Sequence, residues 1–420
     1  MNLFRSLTNR SFALLWGGQT TSRLGDSLFS ITLAWWILEK TGSAAAMGKM
    51  LIFSTIPMLL FLLVGGVVTD RFKSLNVMLI ADLASGSIVL IFTLLAFSNL
   101  LQIWHIYIGK IIFGLVAAFF QPAYTAAIPE IVPKEHLPSA NSMTNLSQRG
   151  AGIFGPAIGA AIVAIGGTSL AFGLNCLSFF ISATCILLIV LERRKKRYDG
   201  QTVEVVAPKP VLPVTTQSKW KIGLLDLKEG YQAVVTSSWL WITILIFGLI
   251  NATSTPVAVS LPVLTKVNLH SDVQTLGLFT SSSAIGFVLG SIVMGNFKRL
   301  RRRGLQAYLA TVLYGLMIVS FGLIKNIPLL IVASFFEGAL MALFGLIWTN
   351  SLQELVPHHL LGRVASIDSL GSFILLPIGY GISGWATDLI GAPSVFVIGG
   401  ALTALLALLG LLHPAVRHLD

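Results

Sequence analysis

About twelve apolar stretches recur along the chain, each long enough to cross a hydrocarbon core of about 30 Å. They fall near residues 12–38, 45–69, 77–98, 103–127, 139–166, 168–191, 237–263, 273–297, 305–325, 328–350, 363–387 and 393–412. No water reaches the middle of a bilayer, so each backbone N–H and C=O must be satisfied within a helix or a closed barrel. Barrel strands would show alternating patterns of about ten residues. None occurs, and the stretches are expected to be helices. Composition supports this, with 55% hydrophobic and 11% charged residues in 420. A water-exposed surface needs roughly a quarter charged residues, which excludes an ordinary soluble enzyme, a disordered chain and a disulfide scaffold.

Met1–Arg10 runs into the first apolar stretch without a small-residue cleavage site, and reads as the approach to a spanning helix and not as a secretory signal. The formal charge of +11 could suggest nucleic acid, but its placement does not. Basic residues cluster in alternate connections: Arg5 and Arg10; Arg71 and Lys73; Lys134; nine from Arg193 to Lys228; Lys298 to Arg303; Arg363; Arg417. The other connections hold Lys40, Lys49, Lys266 and Lys325. The positive-inside rule then places both termini in the cytoplasm of a multi-pass protein, with lipid headgroups and no nucleic acid as the partners of the basic clusters.

The organisation expected is an N-terminal six-helix bundle (1–191), a cytoplasmic linker (192–236) and a C-terminal six-helix bundle (237–420). Within the linker, Trp220–Val235 mixes apolar and basic residues at helical spacing, as a helix lying on a membrane surface does. The halves match at an offset of about 224 residues. Glu130-Ile131-Val132-Pro133 corresponds to Glu354-Leu355-Val356-Pro357, and Gly66, Gly114 and Gly155 correspond to Gly290, Gly338 and Gly379. Two repeats with an even number of helices share one orientation, which implies a pseudo-twofold axis along the membrane normal with a cavity between halves.

Ionisable residues inside a membrane are costly, and they line cavities or pair with one another. The candidates are Arg23 and Asp26, Asp82, Lys110, Arg149 and Glu337. On the first helix Gln19, Ser22, Arg23, Asp26 and Ser30 form one stripe, either a static Arg23–Asp26 bridge or a cavity contact for protons or substrate. Asn141, Asn145, Gln148, Arg149, Gly152, Pro156 and Gly159 share a face of the fifth helix, where Pro156 should bend the helix. Lys110, Gly114, Ala117 and Gln121 align on the fourth. Glu337, Met341, Phe344 and Trp348 align on the tenth, either as a site for a lipophilic cation or as ordinary helix packing with Glu337 paired to a basic residue. Asp70, after Gly65-Gly66, could latch onto a helix end in one conformation. An apolar surround favours a neutral carboxylate and a nearby arginine a charged one. Asp26 is the first choice for carrying a proton, with Glu337 second and Asp82 third. No G-x-x-x-x-G-K-[ST] phosphate loop or H-E-x-x-H motif occurs, and His358–His359 reads as solvated, so no nucleotide, metal site or cofactor is expected.

These residues resemble the major facilitator superfamily over essentially the whole chain. Gly66-x-x-x-Asp70-Arg71 resembles part of its loop signature between the second and third helices. Lys110-x-x-x-Gly114 is similar to its fourth-helix motif, with lysine for the usual arginine. Gly152-x-x-Gly155-Pro156-x-x-Gly159 resembles the fifth-helix motif of its antiporters. Gln19-x-x-Ser22-x-x-Gly25-Asp26, Thr41-Gly42-Ser43, Phe120-Gln121-Pro122-Ala123 and Pro129-Glu130-x-Val132-Pro133 look more narrowly like its macrolide-efflux and enterobactin-exporter branch. The resemblance implies an all-α membrane protein of twelve helices, no enzymatic activity, and alternating access in a cell membrane by a single chain. It implies export of a small lipophilic, drug-like compound, a macrolide or similar, in exchange for protons. An importer or uniporter of a small metabolite stays open on the same fold. It further implies that Gly66, Asp70 and Arg71 hold the outward-facing state and that Lys110 stands in a proton-transfer position.

Overall fold

In a computed structural model the described residues are 4–198, 229–295, 302–357 and 359–419, without the side chains of 63, 64, 66–71 and 196–198. Every regular element among them is helical. Ten helical runs are long and apolar enough to cross a membrane. The run Leu137–Tyr198 is two helices, because Gly167 (φ 74°, ψ 177°) turns the chain through a conformation that L side chains rarely adopt. Arg10–Thr41, more polar than the other runs, completes a set of twelve.

The helices are α1 (Arg10–Thr41), α2 (Ala44–Arg71), α3 (Ser74–Phe97), α4 (Ile103–Ile131), α5 (137–166), α6 (168–198), α7 (Ser238–Asn268), α8 (Val273–Gly295), α9 (Arg303–Leu323), α10 (Ile327–Leu355), α11 (Leu361–Ile390) and α12 (Ala392–Leu411). α7 is interrupted around Thr255–Pro256 and Ser260–Leu261, and α11 at Ile374–Leu375. Pro256, Pro262 and Pro377 lie at these breaks, where a missing N–H cannot continue the ladder. α5 continues as helix through Pro156 to the corner at Gly167.

Helix ends follow local chemistry. Asn9 accepts from Phe12 N at the start of α1, and Gly42 (φ 64°) closes its other end. Asn326 accepts from Leu329 N at the start of α10. The start of α2 is capped from a distance. Asp388 accepts from Ala44 N (2.7 Å), Ala45 N (3.2 Å) and the Ser43 hydroxyl, which itself accepts from Ala46 N.

Contacts divide the chain into two units. The first holds Met1–Gly42, Lys49–Ala207 and Asp272–Ser281; the second holds Ser43–Gly48, Pro208–Ser271 and Ser282–Asp420. Each thus takes one short segment from outside its own stretch of sequence: the start of α2 in the second unit, the start of α8 in the first. In the first unit Phe12, Leu15, Met78, Tyr124, Ile128, Met143, Ile186 and Ile189 form the core. In the second, Phe247, Tyr308 and Ile347 centre one cluster, and Val234, Leu352, Val356 and Val364 another.

The sequence repeat reappears in the packing of each unit. A methyl group at Gly114 would overlap the Ser54 carbonyl oxygen, and one at Gly338 the Ser283 carbonyl oxygen. Gly155 lies on Ser27 of α1, and Gly379 on Ala252 of α7. Ser74, first residue of α3, donates to Glu130 (2.7 Å), as Arg303, first residue of α9, does to Glu354 (2.5 Å). The repeated glutamate therefore ties the end of each unit's fourth helix to the start of its third. Most of the linker, including 199–228, lies outside the described residues. Residues 229–236 are helical, with Val234 buried and Glu229 paired to Arg363.

Candidate functional site

The polar row expected on α5 is present. Asn141, Asn145, Gln148 and Arg149 are all exposed on a helix of spanning length. At 1.5 Å per residue, Arg149 stands about 18 Å along α5 from Leu137, near mid-membrane depth. Amides and a guanidinium at that depth cannot face acyl chains, so this side of α5 faces water. Gly155 and Gly159, farther along, pack the helix onto α1. A methyl at Gly159 would stand 2.7 Å from Leu28 Cα. Pro156 is buried beside them, Gly152 is half-buried, and the Pro156 carbonyl is met by Gly277 at the start of α8.

The α1 stripe divides along its length. Asp26 and Ser30 are exposed and Arg23 is half-buried, whereas Gln19 and Ser22 are buried at 2% and 4% exposure. Of the two alternatives for this stripe, the Arg23–Asp26 bridge is not formed. Arg23 turns to α4 and α5, where Nη1 donates to the Thr144 carbonyl at 3.0 Å and Cζ lies 4.7 Å over the Tyr124 ring. Tyr124 OH and Thr144 Oγ1 are themselves 3.2 Å apart. The ring face and carbonyl dipole give the guanidinium attraction without neutralising it.

Lys110 is held in the same way. Its Nζ lies 5.4 Å from the Phe29 ring and 5.4 Å from the Phe113 ring. Asp26 is its electrostatic neighbour across the face, and Arg23 a weaker one to Asp26. Among the described residues neither Arg23 nor Lys110 has a carboxylate within ion-pair distance. Gln121, on α4, is exposed.

Two expected cavity residues lie elsewhere. Gln19 Nε2 donates to Asp82 Oδ2 (3.2 Å) and to Ser182 Oγ (2.7 Å), and Ser182 Oγ also donates to Asp82 Oδ2 (2.6 Å). Asp82 is 2% exposed. α1, α3 and α6 meet at this point, which buries one end of a stripe whose other end is open. Gln19 and Asp82 therefore join helices rather than face a substrate.

The α10 stripe does not form one cation site. Glu337 is 5% exposed, accepts from Ser283 Oγ (2.5 Å) and faces α8. Met341 is exposed. Phe344 stacks on Phe247 with centroids 3.7 Å apart, and Trp348 Nε1 donates to Asp368 Oδ2 at 3.0 Å. Phe344 and Trp348 also stack on each other, whereas Met341 stays open and Glu337 takes a serine hydroxyl in place of the basic residue that the packing alternative gave it. The side chains of Gly66, Asp70 and Arg71, at the end of α2, lie outside the described residues.

Sequence reasoning passed over three polar groups. Asn175, fully buried on α6, adjoins Asp26, and among the other described residues its Nδ2 meets no acceptor. Its Oδ1 accepts from Ser178, and both residues press on Gly25, which explains a glycine beside Asp26. Ser283 partners Glu337, and Asp368 takes the Trp348 indole. Asn175 and Asp368 each stand as the lone amide or carboxylate of an apolar run, a signal of the kind that revealed Asp82.

A family model described as "Transmembrane secretion effector" matches residues 2–417. Macrolide efflux protein A of Streptococcus pyogenes is 22% identical over 411 residues, covering 97% of each chain. The enterobactin exporter EntS of Citrobacter koseri is 25% identical over 417 residues, 97% of this chain and 94% of that one. Among solved structures, a bacterial homologue of the iron transporter ferroportin in an inward-facing state superposes with a TM-score of 0.70 at 14% identity, over 96% and 98% of the two chains. A POT family transporter in complex with a thioalcohol-conjugated peptide gives 0.73 at 11%, over 96% of each. Both show the same fold.

Proposed function

Since this chain belongs to the transmembrane secretion effector family of major facilitator transporters, integral multi-pass membrane proteins and not enzymes, we propose that it exports a small lipophilic, drug-like compound, a macrolide or similar, by alternating access in exchange for protons. The observation that carries this reading is the water-facing surface of the first unit: Asp26, Arg23, Lys110, Gln121, Asn145, Gln148 and Arg149 on helices of membrane length. Such residues are retained in a membrane where ions or polar groups pass. The names of the two relatives, an efflux protein and an exporter, favour outward movement.

Asp26 is the carboxylate of this face and takes the proton. Lys110 and Asn175 adjoin it, so its charge changes next to an ammonium and a spare amide donor, and each protonation state has a partner available. Asp70 and Arg71 at the end of α2 hold the outward-facing state. The protein works as a single chain in the cell membrane with both termini in the cytoplasm, an orientation supported by the basic clusters in alternate connections. The energy comes from the proton gradient, without a bound cofactor.

The test is reconstitution into liposomes with an imposed pH gradient and a panel of lipophilic compounds. Export predicts compound movement opposite to proton flow, abolished in Asp26→Asn at unchanged insertion. Accumulation with the gradient would identify an importer, and movement unaffected by the gradient a uniporter.

A further inference from the structure

α2 is shared between the two units. The segment Ser43–Gly48 that opens it belongs to the second, and Lys49 onward to the first. Within the first unit α2 is wedged on α4: a methyl at Gly65 would overlap the Ala118 carbonyl oxygen, and one at Gly114 the Ser54 carbonyl oxygen. Within the second unit its start lies on the end of α11. A methyl at Gly48 would overlap the Tyr380 carbonyl oxygen, and one at Gly384 would stand 2.8 Å from the Ala44 carbonyl oxygen. Beside this crossing Asp388 takes the N–H groups of Ala44 and Ala45 and the Ser43 hydroxyl. The end of α11 is fastened in turn to α7 by buried hydroxyl pairs, Thr255 with Ser383 and Ser260 with Thr387, each at 2.6 Å. A carboxylate on a helix N-terminus is held by charge and by N–H donors. Asp388 is exposed, so water can replace those donors at little cost. Buried hydroxyls have no such substitute. The joint at Asp388 is therefore the one suited to open and close again.

From this arrangement we infer that Asp388 and the opening turn of α2 form a reversible clamp, which holds the protein shut on the side opposite its N-terminus. One crossing, α1, separates that side from the N-terminus. The inference rests on the alternating-access reading and gives it a second contact, at the other end of α2 from Asp70 and Arg71. When the two units move against each other, a helix shared between them must either leave one partner or bend. Leaving Asp388 exchanges exposed hydrogen bonds for water, whereas leaving α4 would part a close backbone crossing. Bending would fall at Pro57, the proline inside α2. The start of α8 is capped differently, by its own Asp272 on Thr275 N (3.1 Å). The clamp therefore belongs to α2 and α11, and its strength weights the two conformations.

Spin labels on the full chain in nanodiscs give the test, with Cys176 and Cys185 replaced by alanine. One label sits on Leu100→Cys and the other on Lys325→Cys, exposed residues in the α3–α4 and α9–α10 connections. Both connections lie on the side where α2 starts, and electron–electron resonance reads their separation. Asp388→Ala is expected to raise the ratio of long to short separations at least about fivefold, as loss of a cap on an exposed helix end does. Ser43→Ala should move the ratio the same way by less, and it decides if Asp388→Ala does not insert. In a second protein, Ser43→Cys and Asp388→Cys are joined by a short methanethiosulfonate cross-linker, which should stop gradient-driven transport until it is reduced. Unchanged separations in the folded variants overturn the clamp, and a lower unfolding temperature alone would make Asp388 a plain helix cap. Full transport by the cross-linked protein also overturns it, since α2 would then bend with Asp388 still bound. Separations that lengthen in Asp388→Ala, with no compound moved by the parent in liposomes, would sink the exporter reading and leave the clamp standing.

Discussion

The two units share their packing and differ in their charge. Gly114 on Ser54 and Gly338 on Ser283 are the same close crossing of a fourth helix on a second, and Gly155 on Ser27 and Gly379 on Ala252 the same crossing of a fifth on a first. At the open face the likeness ends. The first unit exposes Asp26 and Arg149 and leaves Arg23 and Lys110 half-buried, whereas the second keeps Glu337 under cover with a serine hydroxyl and packs Phe344 of its α10 stripe on Phe247. Close helix crossings are set by volume, which tolerates little change in either copy. Polar surfaces facing a cavity are held only by what passes through it, and they can diverge between copies.

The contrast can be broken from either side, and the largest effect belongs to Asp26. Asp26→Asn should lower gradient-driven transport at least about a hundredfold, a barrier change of roughly 3 kcal/mol, with insertion and thermal unfolding unchanged. Transport within tenfold of the parent would remove Asp26 from the coupling. Next come the shared crossings. Gly114→Ala and Gly338→Ala should each destabilise by roughly 1–3 kcal/mol through overpacking against a backbone carbonyl, read as similar falls in unfolding temperature. A fall confined to one of them would show that the repeat's packing has diverged as well. Glu337→Gln keeps the shape and an acceptor for Ser283, and transport should stay within about threefold. A hundredfold loss there would give the second unit an ionisable site equal to the first. Least affected should be Glu229→Gln at the exposed pair with Arg363, where exposed pairs contribute at most about 1 kcal/mol; unfolding temperature and transport should both stay level.

The fold was more legible than the site, for reasons visible in particular residues. Spanning length, lysine and arginine placement and repeated glycines are properties of single segments, so twelve helices and their repeat could be read along the chain. A helical wheel also found the α5 row, because exposure there is uniform along one face. It could not settle Gln19 and Glu337, whose surroundings depend on which neighbour lies at that depth: α3 and α6 for one, α8 for the other. Arg23 shows the same limit. Three residues from Asp26 it was within reach of a bridge, but Tyr124 and Thr144, more than a hundred positions away in sequence, draw it off.

The Gly167 corner joins α5 to α6 through one residue with no intervening loop. A connection so short has no slack to let one arm slide past the other. The row ending in Arg149 and the amide of Asn175 therefore travel as prongs of one fork, and whatever tilts α5 must carry the Asp26 neighbourhood with it. Lengthening that bend by a few flexible residues would let the prongs drift out of step, so that proton uptake and cargo release no longer keep time.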